Sequence, residues 1–302
     1  MSHGRLPEWV TNRVRDRERV HRIKRMLRAR GLHTVCESAR CPNLGECFER
    51  NTATFMILGD ACTRDCAFCA VAHTAPKPVD SEEPAGIVAA VRELGLRHVV
   101  ITSVTRDDLP DSGSGQFAET IHRLRREVPE VTIEVLTPDF HGDREAIERV
   151  VSAGPDIYNH NLETVPRLYP KVRSLADYRG SLDLLLYVKW CRSDLLTKSG
   201  IMVGLGETED EMIALMRDLR EVGCDILTVG QYLRPGKENI PVVEYLPEER
   251  FADYERIAYD LGFRMVMSGP LVRSSFHADE AVSALHLERV FKSSMDSDHV
   301  NR

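Results

Sequence analysis

The stretch "ATFMILGDACTRDCAFC", residues 53–69, decides how the rest of this chain is read. An apolar run of strand type ends at Gly59 and opens into a loop carrying Cys62, Cys66 and Cys69, with three and then two residues between them. Just upstream, "TVCESARCPNLGEC" (34–47) adds Cys36, Cys41 and Cys47. Six of the eight cysteines therefore fall in two groups of three. Disulfide frameworks need pairs and a structural zinc site closes with four ligands, so two triplets ask for another account.

Outward from this loop the chain alternates short apolar runs with amphipathic stretches. Strands are expected at 53–58, 97–104, 131–137, 156–163, 199–206, 225–233 and 263–269, and helices near 82–94, 115–127, 143–152, 175–192, 208–222 and 248–261. Several runs are apolar throughout, as parallel strands covered by helices on the outside require. Acids at 207, 209, 210 and 211 stand at the positive end of one helix. This rhythm predicts an α/β fold with one parallel sheet and right-handed crossovers. The repeats are too few for a closed eight-fold barrel. The expectation is a partial (βα)6-type TIM barrel over 51–265, with an N-terminal extension (1–50) carrying the first triplet and a C-terminal tail (266–302) closing the site. In such folds chemistry gathers at the C-terminal ends of the strands. The second triplet, "TRDDLPDSGSG", "NHNLET" and "GLGE" all follow or end strands and so converge on one mouth.

Composition narrows the class. With 42% apolar and 29% charged residues the chain is an ordinary globular one, without the apolar run a bilayer span needs. The N-terminus lacks a secretory apolar core, and Glu8, Asp16 and Glu18 argue against a transit peptide, so a cytoplasmic location is expected. Thiols stay reduced there, which favours metal or catalytic cysteines over disulfides. Cys191 and Cys224 stand alone in apolar surroundings and read as core residues. Residues 1–30 carry ten Arg/Lys against three Asp/Glu, a net +7 on a chain of net −7, leaving −14 for the rest. That basic arm reads first as a solvated helix with local ion pairs. Docking of an acidic partner is its second reading.

Three thiolates on a tight loop can hold three irons of a [4Fe–4S] cluster and leave the fourth open. A Cys3His zinc site completed by His73 remains an alternative at this level. The CxxxCxxC loop after the first barrel strand resembles the radical S-adenosylmethionine superfamily. The resemblance implies that the free iron chelates the cofactor's methionine and that cluster reduction releases a 5′-deoxyadenosyl radical. The first triplet, with "CPNLGEC", "SVTRDDLPDSGSGQFAETI", "NHNLETVPRLYPKVR", "KSGIMVGLGET", "GQYLRP" and "SGPLVRSSFHADE", is similar to the lipoyl synthases over roughly residues 32–280.

That family resemblance implies two [4Fe–4S] clusters and S-adenosyl-L-methionine as cofactors. It implies sulfur insertion at C6 and C8 of an octanoyl chain on a lysine of a lipoyl-carrier domain, the auxiliary cluster being the sulfur donor. Implied partners are the octanoylated carrier, an external ferredoxin- or flavodoxin-like electron donor and an iron–sulfur carrier that rebuilds the cluster. Neither nucleic acid nor membrane is expected. By the same resemblance Cys62, Cys66 and Cys69 hold the radical-generating cluster. Cys36, Cys41 and Cys47 hold the auxiliary one, with Ser275 of "RSSF" as its fourth, catalytically labile ligand. Phe68 is placed near the adenine, and Gly200, Met202, Gly204 and Glu207 fall at the positions of the adenine-contacting strand.

Asn161 and Glu163 alternate with Asn159 on one strand face, and polar groups aimed into a mouth need partners such as ribose or an ammonium. Arg173 offers a planar fork for the cofactor carboxylate, while His160 points the other way and reads as structural. Asp107 and Asp108 either orient the carrier amide or cap the next helix. The chain departs from the family pattern at Thr105, where an aspartate is expected, in "DSGSG", which replaces a more usual Gly-rich form, at Ser174, where a proline is expected after Arg173, and at Phe276, which replaces a tyrosine. Small-molecule sulfur insertion of the biotin synthase type, a zinc-stabilised interaction module and an electron carrier are the competing readings. The first triplet favours the protein-substrate family.

Overall fold

The computed structural model describes residues 17–38, 41, 43–49 and 53–275. Their strands form one sheet in chain order: β1 (His33–Thr34), β2 (Thr54–Ile57), β3 (His98–Ser103), β4 (Thr132–Leu136), β5 (Ile157–Asn159), β6 (Leu196–Val203), β7 (Ile226–Gln231) and β8 (Met265–Gly269). Only the β1–β2 pair is antiparallel; β2 to β8 run parallel. Among the described residues β1 and β8 do not pair, so the barrel is open. The helices are α1 (Arg17–Ala29), α2 (Val35–Ser38), α3 (Leu44–Glu49), α4 (Glu83–Leu94), α5 (Ser114–Glu127), α6 (Arg144–Ser152), α7 (Tyr169–Val172), α8 (Tyr178–Cys191), α9 (Glu209–Glu221) and α10 (Glu248–Asp260). Short 3-10 turns cover Phe140–Gly142 and Pro166–Leu168.

The seven parallel strands are those the apolar runs predict, and α4, α5, α6, α8, α9 and α10 fill the predicted helical stretches. Six strand–helix units followed by β8 make the partial barrel. One strand is shorter than expected: β5 stops at Asn159, and Glu163 beyond it has φ 66°, outside any extended conformation. The helix after β6 starts on a capping box, Thr208 accepting from the Glu211 N–H while Glu211 accepts from that of Thr208. The acids noted in the sequence thus serve an N-cap as well as the dipole.

Residues two apart on a strand share a face, which orders the barrel interior into layers. Ile157, Leu196 and Ile226 close its lower end, packed with Met265 and Met267. One step up, Lys198 and Glu134 pair at 2.9 and 3.1 Å with both side chains fully buried, and Asn159 donates to the same carboxylate at 3.1 Å. One step further, Asn161, Gly200 and Thr228 face the mouth.

The extension is tied to the barrel. Strand β1 places His33 beside Met56 and Thr34 beside Phe55, and α1 buries Val20, Ile23 and Leu27. Arg22, Arg25 and Arg28 face solvent on the other side, while Lys24 and Arg28 pair with Glu37 and Arg30 with Glu93. From Arg17 onward this is the solvated amphipathic helix that the first reading of the arm describes; Arg13, Arg15 and Asp16 lie outside the described residues.

Candidate active site

The second cysteine loop leaves β2 through Leu58 (φ 69°) and Gly59 (φ 92°). Backbone bonds fasten it on every side: Cys62 N–H to Ala72 O, Thr63 N–H to Thr105 O, Ala67 N–H to Val172 O and Ile240 N–H to Ala67 O, all 2.9–3.0 Å. Asn239 donates to Cys69 O at 2.8 Å. The sulfurs meet backbone donors. Cys62 Sγ accepts from the N–H groups of Thr105 (3.3 Å) and Arg64 (3.4 Å), and Cys69 Sγ from that of Val71 (3.5 Å). Such bonds suit a thiolate and, on a cluster, help set its potential.

Arg64, inside the loop and only 5% exposed, clamps it to two neighbouring strand ends. Its guanidinium reaches both carboxylate oxygens of Asp107 (2.8 and 3.1 Å) and both of Asp139 (2.7 and 2.8 Å). Burial would raise the Asp139 carboxyl, but Arg64 outweighs it and holds the group at about 2. His141 Nε2 lies 2.7 Å from Asp107. Asp107 is thus part of this clamp and Asp108 pairs with Arg106. The cap of α5 comes instead from Asp111, which accepts from the N–H groups of Gly113 and Gly115. Arg64, Asp139 and His141 escape sequence reasoning; the one signal was an arginine between two clustered cysteines.

The first triplet meets the tail. Cys36 is buried beside the backbone of Thr54, which works against the rise that burial gives its thiol. The Thr54 hydroxyl donates to Ser275 Oγ at 2.8 Å, so the cysteine and the serine converge on one residue of β2. Cys41 lies within the electrostatic reach of Cys36 and of Arg273. Cys47 is half-buried on α3, one turn from Asn43, whose side chain donates to Leu271 O at 2.6 Å. Ser274 takes a 2.7 Å bond from Asn161 Nδ2.

Beside the second cysteine loop, Asn161 Nδ2 also donates to Glu163 (3.0 Å), and Arg173 Nη1 donates to the carbonyls of Asn161 (2.7 Å) and Leu162 (3.3 Å). The positive charge of Arg173 acts on both Glu163 and Cys66. These four residues form one group. Met202 joins it through its N–H, bonded to Glu163 O at 2.8 Å. Phe68 is half-buried and packs on the core beside the loop. Gly204 and Glu207 stand apart. The glycine has φ 94°, and an added β-carbon would lie 2.2 Å from Gln231 and 2.4 Å from Glu244 O, so the fold itself requires it. Glu207 receives the N–H groups of Gly204 (2.6 Å) and Leu205 (2.9 Å), bracing that turn. His160 is buried, its Nδ1 2.9 Å from Thr137 O, and burial pulls it down to about 4, as a structural neutral histidine.

Thiols in two groups of three are a donor set that iron–sulfur clusters accept. Among the described residues no three His, Cys, Asp or Glu side chains close around one ion, and His73 Nδ1 pairs with Arg64 O at 2.7 Å. Thiolates on separate irons of a cluster stand wider apart than ligands of one zinc. Burial pushes Cys36 up to about 12 and Cys66 to about 11, and raises Cys41 and Cys69. Arg273 opposes this at Cys41 and Arg173 at Cys66. A bound metal must complete the deprotonation. Buried Asn161 Oδ1 and Arg173 Nε have no partner among the described residues, which leaves polar capacity for a polar cofactor beside Cys66.

A profile of the radical SAM superfamily matches residues 56–219, the class that an open barrel with this cysteine loop defines. The chain is 58% identical to the lipoyl synthase of Caldanaerobacter subterraneus subsp. tengcongensis, covering 92% of this chain and 98% of that one. It is 56% identical to the lipoyl synthase of Rubrobacter xylanophilus, covering 92% and 86%. The chain belongs to the lipoyl synthase family, and so is a radical SAM enzyme. A profile of the N-terminal domain of lipoyl synthase matches residues 1–41, so the likeness begins well before residue 32, where the motifs alone had placed it. In fold the chain is similar to Streptococcus suis SuiB bound to S-adenosylmethionine, with a TM-score of 0.56 at 10% identity over 75% of this chain and 53% of that one. Among the described residues no helix is long and apolar enough to cross a membrane.

Proposed function

We propose that this enzyme inserts two sulfur atoms, at C6 and C8, into an octanoyl chain carried on a lysine of a lipoyl-carrier domain. In this reading Cys62, Cys66 and Cys69 would hold a cluster able to supply an electron to S-adenosylmethionine, and Cys36, Cys41, Cys47 and Ser275 would hold a second cluster able to supply sulfur. Those groups, once bound, supply the radicals and the sulfur; the chain supplies position. Asn161, Glu163 and Arg173 orient the methionine end beside Cys66, and Phe68, Met202 and the Gly204–Glu207 turn line the adenine side. The extension through residue 50 and the tail from 266 close on the 51–265 barrel from opposite ends of the sequence. Reducing equivalents come from a ferredoxin- or flavodoxin-like donor, and an iron–sulfur carrier restores the consumed cluster.

The observation that carries this reading is the meeting of Cys36 and Ser275 at Thr54. A hydroxyl is a harder ligand than thiolate for a soft iron site and leaves more readily, which suits a cluster meant to be dismantled. The test is anaerobic incubation with reductant, S-adenosylmethionine and an octanoylated carrier peptide, followed by mass spectrometry. A gain of two sulfurs is expected on the octanoyl lysine, with one 5′-deoxyadenosine formed per C–S bond. Cofactor cleavage with no sulfur transferred would refute the assignment.

A further inference from the structure

After β8 the chain does not leave the barrel. Gly269-Pro270-Leu271-Val272 makes a turn closed by the Val272 N–H on Gly269 O at 3.1 Å, with proline where its fixed φ suits a turn's second residue. The turn sends Val272 to Ser275 back across the mouth. There the segment is held from three parts of the sequence: Asn43 of the extension on Leu271 O, Asn161 beyond β5 on Ser274, and Thr54 of β2 on Ser275.

Two strands give way to let it in. Gly230, in "TVGQYLRP" on β7, has the Val272 carbonyl oxygen only 2.1 Å from where a β-carbon would be, and Arg273 Nη1 at 3.3 Å. At Gly200 on β6 the same position lies 2.9 Å from Ser274 Oγ, 2.9 Å from Thr228 and 2.8 Å from Asn161. Neither glycine has a positive φ, so neither is required by its own backbone conformation. What excludes a side chain at Gly230 is the tail itself.

We propose that Gly230, seconded by Gly200, is a positioning residue that forms a berth for Val272–Ser275, and that occupancy of this berth decides whether Ser275 reaches the first cysteine triplet. The berth joins the two halves of the site, because Ser274 rests on the cofactor-side Asn161 while Ser275 rests on the Cys36-side Thr54. A methyl at Gly230 collides with a backbone carbonyl that cannot swing aside as a side chain would, so the whole segment must lift. At Gly200 the nearest atoms belong to side chains that can yield, so the effect there is smaller. The link from berth to cluster rests on the ligand role proposed for Ser275; the berth itself does not.

The experiment uses the full chain with clusters reconstituted. Trypsin can cut after Arg273 only when the berth is empty, and cleavage there tracks the open population. In wild type the 273–274 bond should be cut far more slowly than an exposed turn bond such as the one after Lys237. Gly230→Ala should speed that cut at least about tenfold, Gly200→Ala less, with circular dichroism showing the barrel folded. Thr54→Val, which keeps the β-branched shape and removes only the bond to Ser275, serves as a second variant should Gly230→Ala fail to fold; it too should speed the cut. Rapid cutting in wild type, or unchanged cutting in folded Gly230→Ala and in Thr54→Val, would overturn the berth. The electron paramagnetic resonance of the reduced clusters separates the two claims, since three cysteines can still hold a cluster whose fourth iron is open. A released tail with an altered signal from the cluster of the first triplet supports both, and a released tail with both signals unaltered supports the berth while removing Ser275 as a ligand.

Discussion

Replacing Lys198 by Met tests the charged layer below the mouth. The lysine and Glu134 are both fully buried, and the carboxylate has His98 Nε2 at 3.4 Å and Asn159 at 3.1 Å as its other neighbours. Methionine keeps the length and removes the charge, leaving Glu134 buried without its main counter-ion. Burial alone would raise that carboxyl from 4.5, but Lys198 and then His98 outweigh it and hold it at about 2. At 1.36 kcal/mol per tenfold, that difference corresponds to roughly 3 kcal/mol, and breaking a buried pair from one side costs about 3–5 kcal/mol. Unfolding entropy of about 2.1 cal/mol/K per residue turns this into a Tm lowered by roughly 5–8 °C at pH 7. The sign with pH follows. A depressed carboxyl stabilises the fold above its unfolded value and loses that contribution as pH falls from about 4.5 towards 2. In the variant the unpaired carboxyl is protonated on folding, which is easier in acid. The gap to wild type should therefore narrow by about 1.4 kcal/mol per pH unit between pH 7 and 5. Glu134→Gln added to Lys198→Met should recover most of the loss. Anaerobic calorimetry of the reconstituted protein reads all of this. A Tm change under about 2 °C at pH 7, or a gap that ignores pH, would refute the reasoning.

Replacing Cys62, Cys66 and Cys69 together by Ala should abolish 5′-deoxyadenosine formation under reducing conditions; continued formation would move the radical-generating cluster elsewhere. The triple Ala variant of Cys36, Cys41 and Cys47 should keep cofactor cleavage, lose about half its iron and make no lipoyl product, as measured by iron assay and mass spectrometry. Arg64→Lys removes a fork that binds two carboxylates at once, which a lysine ammonium cannot reproduce. A destabilisation of about 1–3 kcal/mol and faster iron loss from the Cys62 loop are expected, seen by thermal melting and by the electron paramagnetic resonance of the reduced cluster. Unchanged iron retention would leave Arg64 a staple between two strand ends with no bearing on the cluster.

The parallel strands were legible because each is apolar enough to be covered on the outside and short enough to end at a turn signal. The two cysteine triplets stood out by spacing, and the roles expected of them came from the family resemblance. What sequence could not show was pairing at long range. Strand β1 has two residues and exists only because His33 and Thr34 lie against β2. Glu134 and Lys198 are single charges inside apolar runs, and nothing in either run says that three strands bring them together. Asn159 and Asn161 alternate on one face as expected, yet they serve different layers: Asn159 completes the buried charge pair and Asn161 meets Ser274. Alternation fixes the face of a side chain but not its depth, and depth decides the partner.

The departures at Thr105 and Ser174 bear on how much a matched motif needs its side chains. Thr105 contributes its N–H to Cys62 Sγ and its carbonyl oxygen to the backbone and hydroxyl of Thr63. All three contacts are made by main-chain atoms, so an aspartate or a threonine at 105 would secure the loop equally. Ser174 follows a residue already placed twice, once by its N–H on Tyr169 O at the end of α7 and once by its guanidinium on the carbonyls of Asn161 and Leu162. A rigid proline after Arg173 would add little to that placement. Phe276 lies outside the described residues, and the tail up to Ser275 is already held by Asn43, Asn161 and Thr54. At Thr105 and Ser174, two positions where this chain leaves the family pattern, main-chain contacts already hold the neighbouring site residues. The thiols and Ser275, whose own atoms would bind the clusters in the function proposed above, match the family motif.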